Sequence, residues 1–273
     1  MTAAVEPVLY QAPRGNVTFG GVLASEWVKL RSLRSTVWSL VAAVGMLVGF
    51  AMLFSFAVAS RWASMPLARR AEFDPTRISL NGVFLAQLAI GVLGVLIIGG
   101  EFSTGMIRSS VAAVPRRLPV LWAKAVVFGM VTLVLMVVAA LAAFTVGQRI
   151  LAGQHIQTTL GAPGVTRAVL GAAAYLTLIG LLGLGLGALL RNSAAAISTL
   201  VAAVLVVPIL VNFLPSDWQV HVARWLPSAA GESMMTVHPT SAQLRAGAGA
   251  LVLVAYVVVV GAAGAVGLAR RDV

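Results

Sequence analysis

Side chains able to do chemistry are few in this chain, and they stand apart. His155, His221 and His238 are isolated, whereas a metal site needs three or four clustered ligands. Cysteine is absent, which removes disulfides, thiol nucleophiles and sulfur-ligated metals. No GxxxxGK[ST] loop, HExxH or GxSxG occurs, and no close pair of carboxylates falls at helical spacing. The expectation is no catalytic residue, no metal and no cofactor within this chain.

One polar stretch does stand out. "GEFSTGMIRSSVAAVPRR", residues 100–117, places Glu101, three arginines and several hydroxyls between two long apolar runs. Wound as a helix, it puts Phe102, Met106, Ile107, Ser110, Ala113 and Val114 on one mildly apolar face. Arg108 then points away and Pro115 stops the helix. Two readings are open: a solvated loop that fixes orientation, or a docking surface for a partner. A solvated loop has no need of the apolar face.

The elements that must position these residues are membrane helices. The chain has 273 residues, 60% hydrophobic and 10% charged, with mean hydropathy +0.98. A soluble domain carries about 25% charged residues. Stretches 37–60, 78–100, 125–148, 168–190, 192–216 and 246–269 lack Asp, Glu, Lys, Arg and His altogether. A helix of such length rises about 35 Å, enough for a hydrocarbon core of about 30 Å. No ten-residue alternation marks a membrane barrel, and helices satisfy their own backbone groups in lipid.

The sequence thus predicts an all-α integral membrane protein, multi-pass, in the cytoplasmic (plasma) membrane. Its six transmembrane helices fall at about 37–60, 78–100, 120–148, 168–190, 193–214 and 246–269. Residues 1–21 and 270–273 are expected as cytoplasmic tails, and the first 20 residues lack the apolar core of a secretory signal. The fourth and fifth spans meet in a tight hairpin at Arg191-Asn192. Pro208 is expected to kink the fifth and free a carbonyl near Val204.

The net charge of +11 is read as membrane orientation, with no nucleic acid expected. An N-in, C-in arrangement puts eleven basic residues inside and eight outside, with three just before the first span. Only two of the nineteen are lysines, Lys29 and Lys124. No span interior holds an ionisable side chain, so proton or sodium coupling lacks the buried group it needs. The energy for any transport is expected from another chain.

Two further segments carry information. In 22–36 a helix would gather Leu23, Trp27, Leu30 and Leu33 on one side, opposite Ser25, Lys29 and Ser32. That predicts an amphipathic interfacial elbow helix, serving either as a simple anchor or, through Glu26, Trp27, Lys29, Arg31 and Arg34, as a partner contact. In the external segment 217–245, Trp218, Val222 and Trp225 recur at helical spacing until Pro227 breaks the run. It is either an aromatic belt element or a gate.

The order of "SEWVKLRSLRSTVW", "GEFSTGMIRSSVAAVPRR…WAKA", six spans and "RWLPSAAGES" resembles the membrane subunit of ABC-2 type ABC transporters, with an actinobacterial flavour. The resemblance implies a permease for export or efflux of an amphipathic drug, lipid or peptide. Two P-loop ATPase subunits that bind ATP and Mg would drive it, alongside a second permease, copy or paralogue, among membrane lipids. It also implies that the elbow helix and a coupling helix within 101–117 form the transmission surface. Docking would then use Glu101, Phe102, Thr104, Met106, Ile107, Arg108 and Val114, with Glu101 matching the acid common at that position. The external segment is short for G-type exporters of this family and has no cysteines.

Polar candidates for lining a pathway are Asn81 and Gln87 in the second span and Ser198, Thr199 and Asn212 in the fifth. Gly45-x-x-x-Gly49 and Gly183-x-x-x-Gly187 are spacings that permit close helix contact. Two other classes stay open: a membrane anchor or sensor recruiting a cytoplasmic partner, and an ATP-independent channel or facilitator.

Overall fold

The computed structural model describes residues 18–103 and 117–270, and all its regular elements there are helical. In chain order they are α1 (Phe19–Ser32), α2 (Arg34–Arg61), α3 (Leu67–Ala71), α4 (Pro75–Leu80), α5 (Val83–Ser103) and α6 (Arg117–Ala152). There follow α7 (Val165–Leu190), α8 (Ser193–Val201), a π turn (Ala202–Val206), α9 (Val207–Val211), α10 (Ser216–Ala223), α11 (Pro227–Met235) and α12 (Ala246–Arg270). Six helical stretches are long and apolar enough to cross a membrane: Arg34–Ser64, Pro75–Phe102, Leu118–Ala152, Val165–Leu190, Ser193–Val211 and Ala246–Ala269. They are called spans 1 to 6. The bundle has a termini end, where α1 lies, and a far end, where α11 lies.

Spans 2 and 4 form the centre. Of their most apolar stretches 61% and 72% is buried, against 22–28% in the other four. Glycine allows this closeness. A Cβ on Gly94 of α5 would lie 2.0 Å from the Gly180 carbonyl oxygen of α7, and one on Gly183 would lie 2.2 Å from that of Gly91. With no hydrophobic drive between helices in lipid, such backbone-to-backbone contact is what holds spans together. Gly45 and Gly49 differ: a Cβ on either meets nothing within 4 Å. Among the described residues that spacing makes no close helix contact.

Several boundaries depart from the sequence reading. Expected over 22–36, the elbow helix instead starts at Phe19, because the Thr18 hydroxyl caps it by accepting from Gly21 N–H. It ends at Ser32, where Leu33 turns extended (φ −79°, ψ 108°) and a new helix begins at Arg34. The helical run expected to continue to Pro227 stops at Ala223, and Pro227 instead opens the next helix, since its fixed φ and missing N–H suit a first helical turn. In span 5 the chain widens to a π turn just before Pro208, which accommodates the ring where an α-turn would clash with the Val204 carbonyl. Between spans 4 and 5, Arg191 takes a left-handed conformation (φ 53°) and Asn192 caps α8 by accepting from Ala195 N–H.

Helix α11 is the element that sequence reasoning left unassigned. It packs inward against spans 4 and 6 through small residues. A Cβ on Gly171 would lie 2.3 Å from the Met234 carbonyl oxygen, and one on Gly249 would lie 2.4 Å from that of Ala230. Gly231 lies flat against the Tyr175 ring.

Replacing Gly94 with Val should destabilise the fold by about 3 kcal/mol, since its branches have only backbone to meet. Gly45→Ala should leave stability unchanged. Thermal unfolding of the two purified variants in one detergent checks the contrast.

Candidate functional site

At the termini end four charged side chains close into a ring. Glu26 comes from α1, Glu101 from the last turn of span 2, Lys124 from the start of span 3, and Lys29 from α1 one turn beyond Glu26. Lys124 Nζ donates to Glu26 Oε2 at 2.5 Å and to Glu101 Oε1 at 2.9 Å. Lys29 Nζ donates to Glu26 Oε1 at 2.7 Å and to Glu101 Oε1 at 3.3 Å. Glu26, Glu101 and Lys124 are 4%, 6% and 5% exposed. Lys29 is half-buried at the rim.

The ring joins three helices at this end, α1, α5 and α6. Val22 of α1 packs with Val120 and Ala123 of α6, and this small apolar contact sets Glu26 opposite Lys124. Two carboxylates and two ammoniums sum to zero, which is the condition for keeping them out of water. The two lysines in the ring are the only two in the chain. Burial lowers the Lys29 pKa, but hydrogen bonds and charge from Glu26 and Glu101 outweigh it, and the net shift is upward.

This geometry revises the reading of the elbow. The bundle-facing side carries Val22, Leu23, Glu26, Lys29 and Leu30, a mixture of the two expected faces, while Ser25, Trp27, Arg31, Ser32 and Arg34 are exposed. Lys124 was counted only as an orienting charge, whereas the helices of spans 2 and 3 run past their charge-free interiors to include Glu101 and Lys124. The helical start of span 3 includes Lys124, seated among carboxylates rather than in solvent. Phe102 packs against the core and lies under the Arg191 guanidinium, 5.6 Å from its ring centre. Thr104, Met106, Ile107, Arg108 and Val114 lie outside the described residues.

A second site occupies the far half of the bundle. A cavity of about 760 Å³ lies between spans 1, 2 and 5 and is roofed by α10 and α11. Phe50, Phe54, Phe84, Val204 and Pro208 supply apolar wall, and Asn81, Gln87 and Asn212 supply polar groups. Three of the five pathway candidates thus line one space. Ser198 and Thr199 do not: both are exposed on α8, and the Thr199 hydroxyl donates to its own helix at Ala195 O. At the inner wall Tyr175, which sequence reasoning missed, donates its hydroxyl to Gln87 Oε1 while Gln87 Nε2 donates to Phe84 O. At the rim Arg77 Nη2 meets Glu232 Oε1 at 3.0 Å.

Such a space offers neutral hydrogen-bonding groups on an apolar background, which suits an amphipathic molecule. Among the described residues no group of three or more His, Asp or Glu gathers to hold a metal. No protein-family model and no curated protein matches the chain.

Lys124→Met leaves two buried carboxylates facing only Lys29, and should destabilise the fold by about 3–5 kcal/mol. Adding Glu101→Gln to that variant should restore part of the loss, as read by thermal unfolding. The Lys29 contribution has a defined sign in pH. Its folded pKa lies above 10.5, so the stability it gives is fully present below 10.5 and fades as pH rises through the higher folded value. The stability difference between wild type and Lys29→Met should therefore be flat from pH 8 to 10 and shrink above 10.5. A loss beginning near neutrality would contradict the ring.

Proposed function

We propose that this chain is the membrane-spanning permease subunit of an ATP-driven exporter of the ABC-2 type, N-in and C-in. The termini end is cytoplasmic, and separate P-loop ATPases dock against 101–117 and α1. What supports this reading is the ring of Glu26, Lys29, Glu101 and Lys124. It sits at the roots of both helices that flank 104–116, and it ties them to α1 by charge-assisted bonds in a low-dielectric setting. A push on 104–116 is thereby passed to spans 2 and 3 and to α1 together, as a coupling surface requires.

The far cavity is the proposed pathway compartment for an amphipathic substrate. Span 2 links the two sites: Glu101 stands at one end of α5, and Gln87 and Asn81 stand toward the other. Spans 2 and 4, locked backbone to backbone, would carry the motion as one body, and displacement of spans 1 and 5 against them would reshape the cavity. A second permease, copy or paralogue, completes the assembly in the plasma membrane.

The test separates docking from folding. Phe102 carries packing of its own, so Met106→Asp with Ile107→Asp is the better docking variant. Purified without crosslinker, the wild-type chain should carry a P-loop ATPase and show vanadate-sensitive hydrolysis, and the double variant should lose at least ten-fold of the bound ATPase. A chain that copurifies with no ATPase yet conducts solute in liposomes would overturn the reading. Substituting Glu26→Gln should keep the ATPase bound but lower its transport per ATP several-fold.

A further inference from the structure

We propose that the crevice between α1 and the bundle is a binding site for one anionic phospholipid of the leaflet that faces the chain's termini. The crevice has a volume of about 390 Å³ and is bounded by α1, the start of span 1, the last turns of span 2 and the start of span 3. Leu33, Leu96, Ile97 and Val127 make its apolar walls, and the ion ring closes its polar end. It has room for about a dozen groups the size of a water molecule or methylene, the upper part of one acyl chain.

The occupant follows from position and charge. Trp27 on α1 and Trp122 on α6 are exposed at this end of the spans, where aromatic side chains sit at headgroup depth. A gap with apolar walls at that depth opens to lipid. The ring itself is neutral, and the unbalanced charge nearby is that of Arg31 and Arg34, cationic and exposed on the α1–α2 junction next to the lining residues Ser32, Leu33 and Ser35. A phosphate without a balancing ammonium is the headgroup that fits them, with the Ser35 hydroxyl on the lining beside it.

Gly100 gives independent support. It lines the crevice, and a Cβ built on it meets nothing within 4 Å. Its neighbour Gly99 is packed tightly, since a Cβ there would lie 2.3 Å from the Ser193 Oγ. Gly100 thus lines the crevice with clear space beside it among the described residues, and a larger side chain at 100 would take up room there. The proposal does not depend on an ATPase being the partner.

The experiment reconstitutes the full chain in vesicles containing phosphatidylglycerol or phosphatidylcholine that carries a photoreactive group in its acyl chain. Crosslinked peptides are then mapped by mass spectrometry. Phosphatidylglycerol should label the segment around Leu96 and Val127 at least ten-fold more than phosphatidylcholine. Gly100→Leu should cut that labelling at least ten-fold while labelling elsewhere on the spans persists. Arg31→Gln with Arg34→Gln, exposed sites outside the packing, should abolish the preference between the two lipids. Equal labelling by both lipids in the wild type overturns the proposal. So does a preference that survives the arginine pair, or full labelling of a Gly100→Leu chain that unfolds at the wild-type temperature. If Gly100→Leu does not fold, the arginine pair decides alone.

Discussion

Three charges held out of water and a fourth at the rim must satisfy one another, and the architecture at the termini end follows from that constraint. A carboxylate or ammonium buried without a partner costs several kcal/mol of lost hydration, on the order of 3–5. Glu101, Lys124, Glu26 and Lys29 form a closed, neutral circuit in which both oxygens of Glu26 are used and one oxygen of Glu101 is shared. The circuit fixes α1 against the bundle at a place where apolar contact is slight, since Val22, Val120 and Ala123 make the only small core there among the described residues. It also has no slack. Desolvation means that a missing member leaves its neighbours worse off than if the whole ring were apolar.

The centre of the bundle, and α11 at the far end, are organised differently, by backbone contact. Glycines at 91, 94, 180, 183 and 187 bring spans 2 and 4 close enough for carbonyls to meet the opposing helix. Gly171, Gly231 and Gly249 do the same for α11. Tyr175 is the exception in size. Fully buried, it fills the room between span 4, Gly231 and Gln87, and so defines where the cavity stops. The contrast between a tight centre and loosely covered outer spans is what a membrane bundle needs if some helices are to move against fixed ones.

Much of this was legible in the sequence. Charge-free stretches of sufficient length mark the six long helices because, in lipid, length and apolarity are the same requirement as spanning. The hairpin at Arg191-Asn192 and the disturbance at Pro208 were legible too, each from a residue with one dominant backbone effect. The ring was only half legible. Glu26, Lys29 and Glu101 were singled out for separate reasons, but Lys124, 98 residues from Glu26, looked like any other flanking cation. The available hint was its rarity: in a chain that elsewhere uses arginine, the two lysines mark places where a compact ammonium fits and a guanidinium fork does not. Helix α11 was missed because small residues give no periodic apolar signal. Its face reads as a loop until a glycine-sized gap between spans 4 and 6 is seen to receive it.

The connection between spans 4 and 5 has a consequence for how the protein is made. Arg191 and Asn192 are all that separates two apolar helices, and Arg191 is held by the Gly267 carbonyl of span 6 through a 2.7 Å hydrogen bond. A hairpin so short has no polar loop to leave in water between its arms. Its arms are therefore expected to enter the bilayer as a pair, with the charged tip left at one face. Span 6, made after both arms, then supplies the carbonyl that holds the tip.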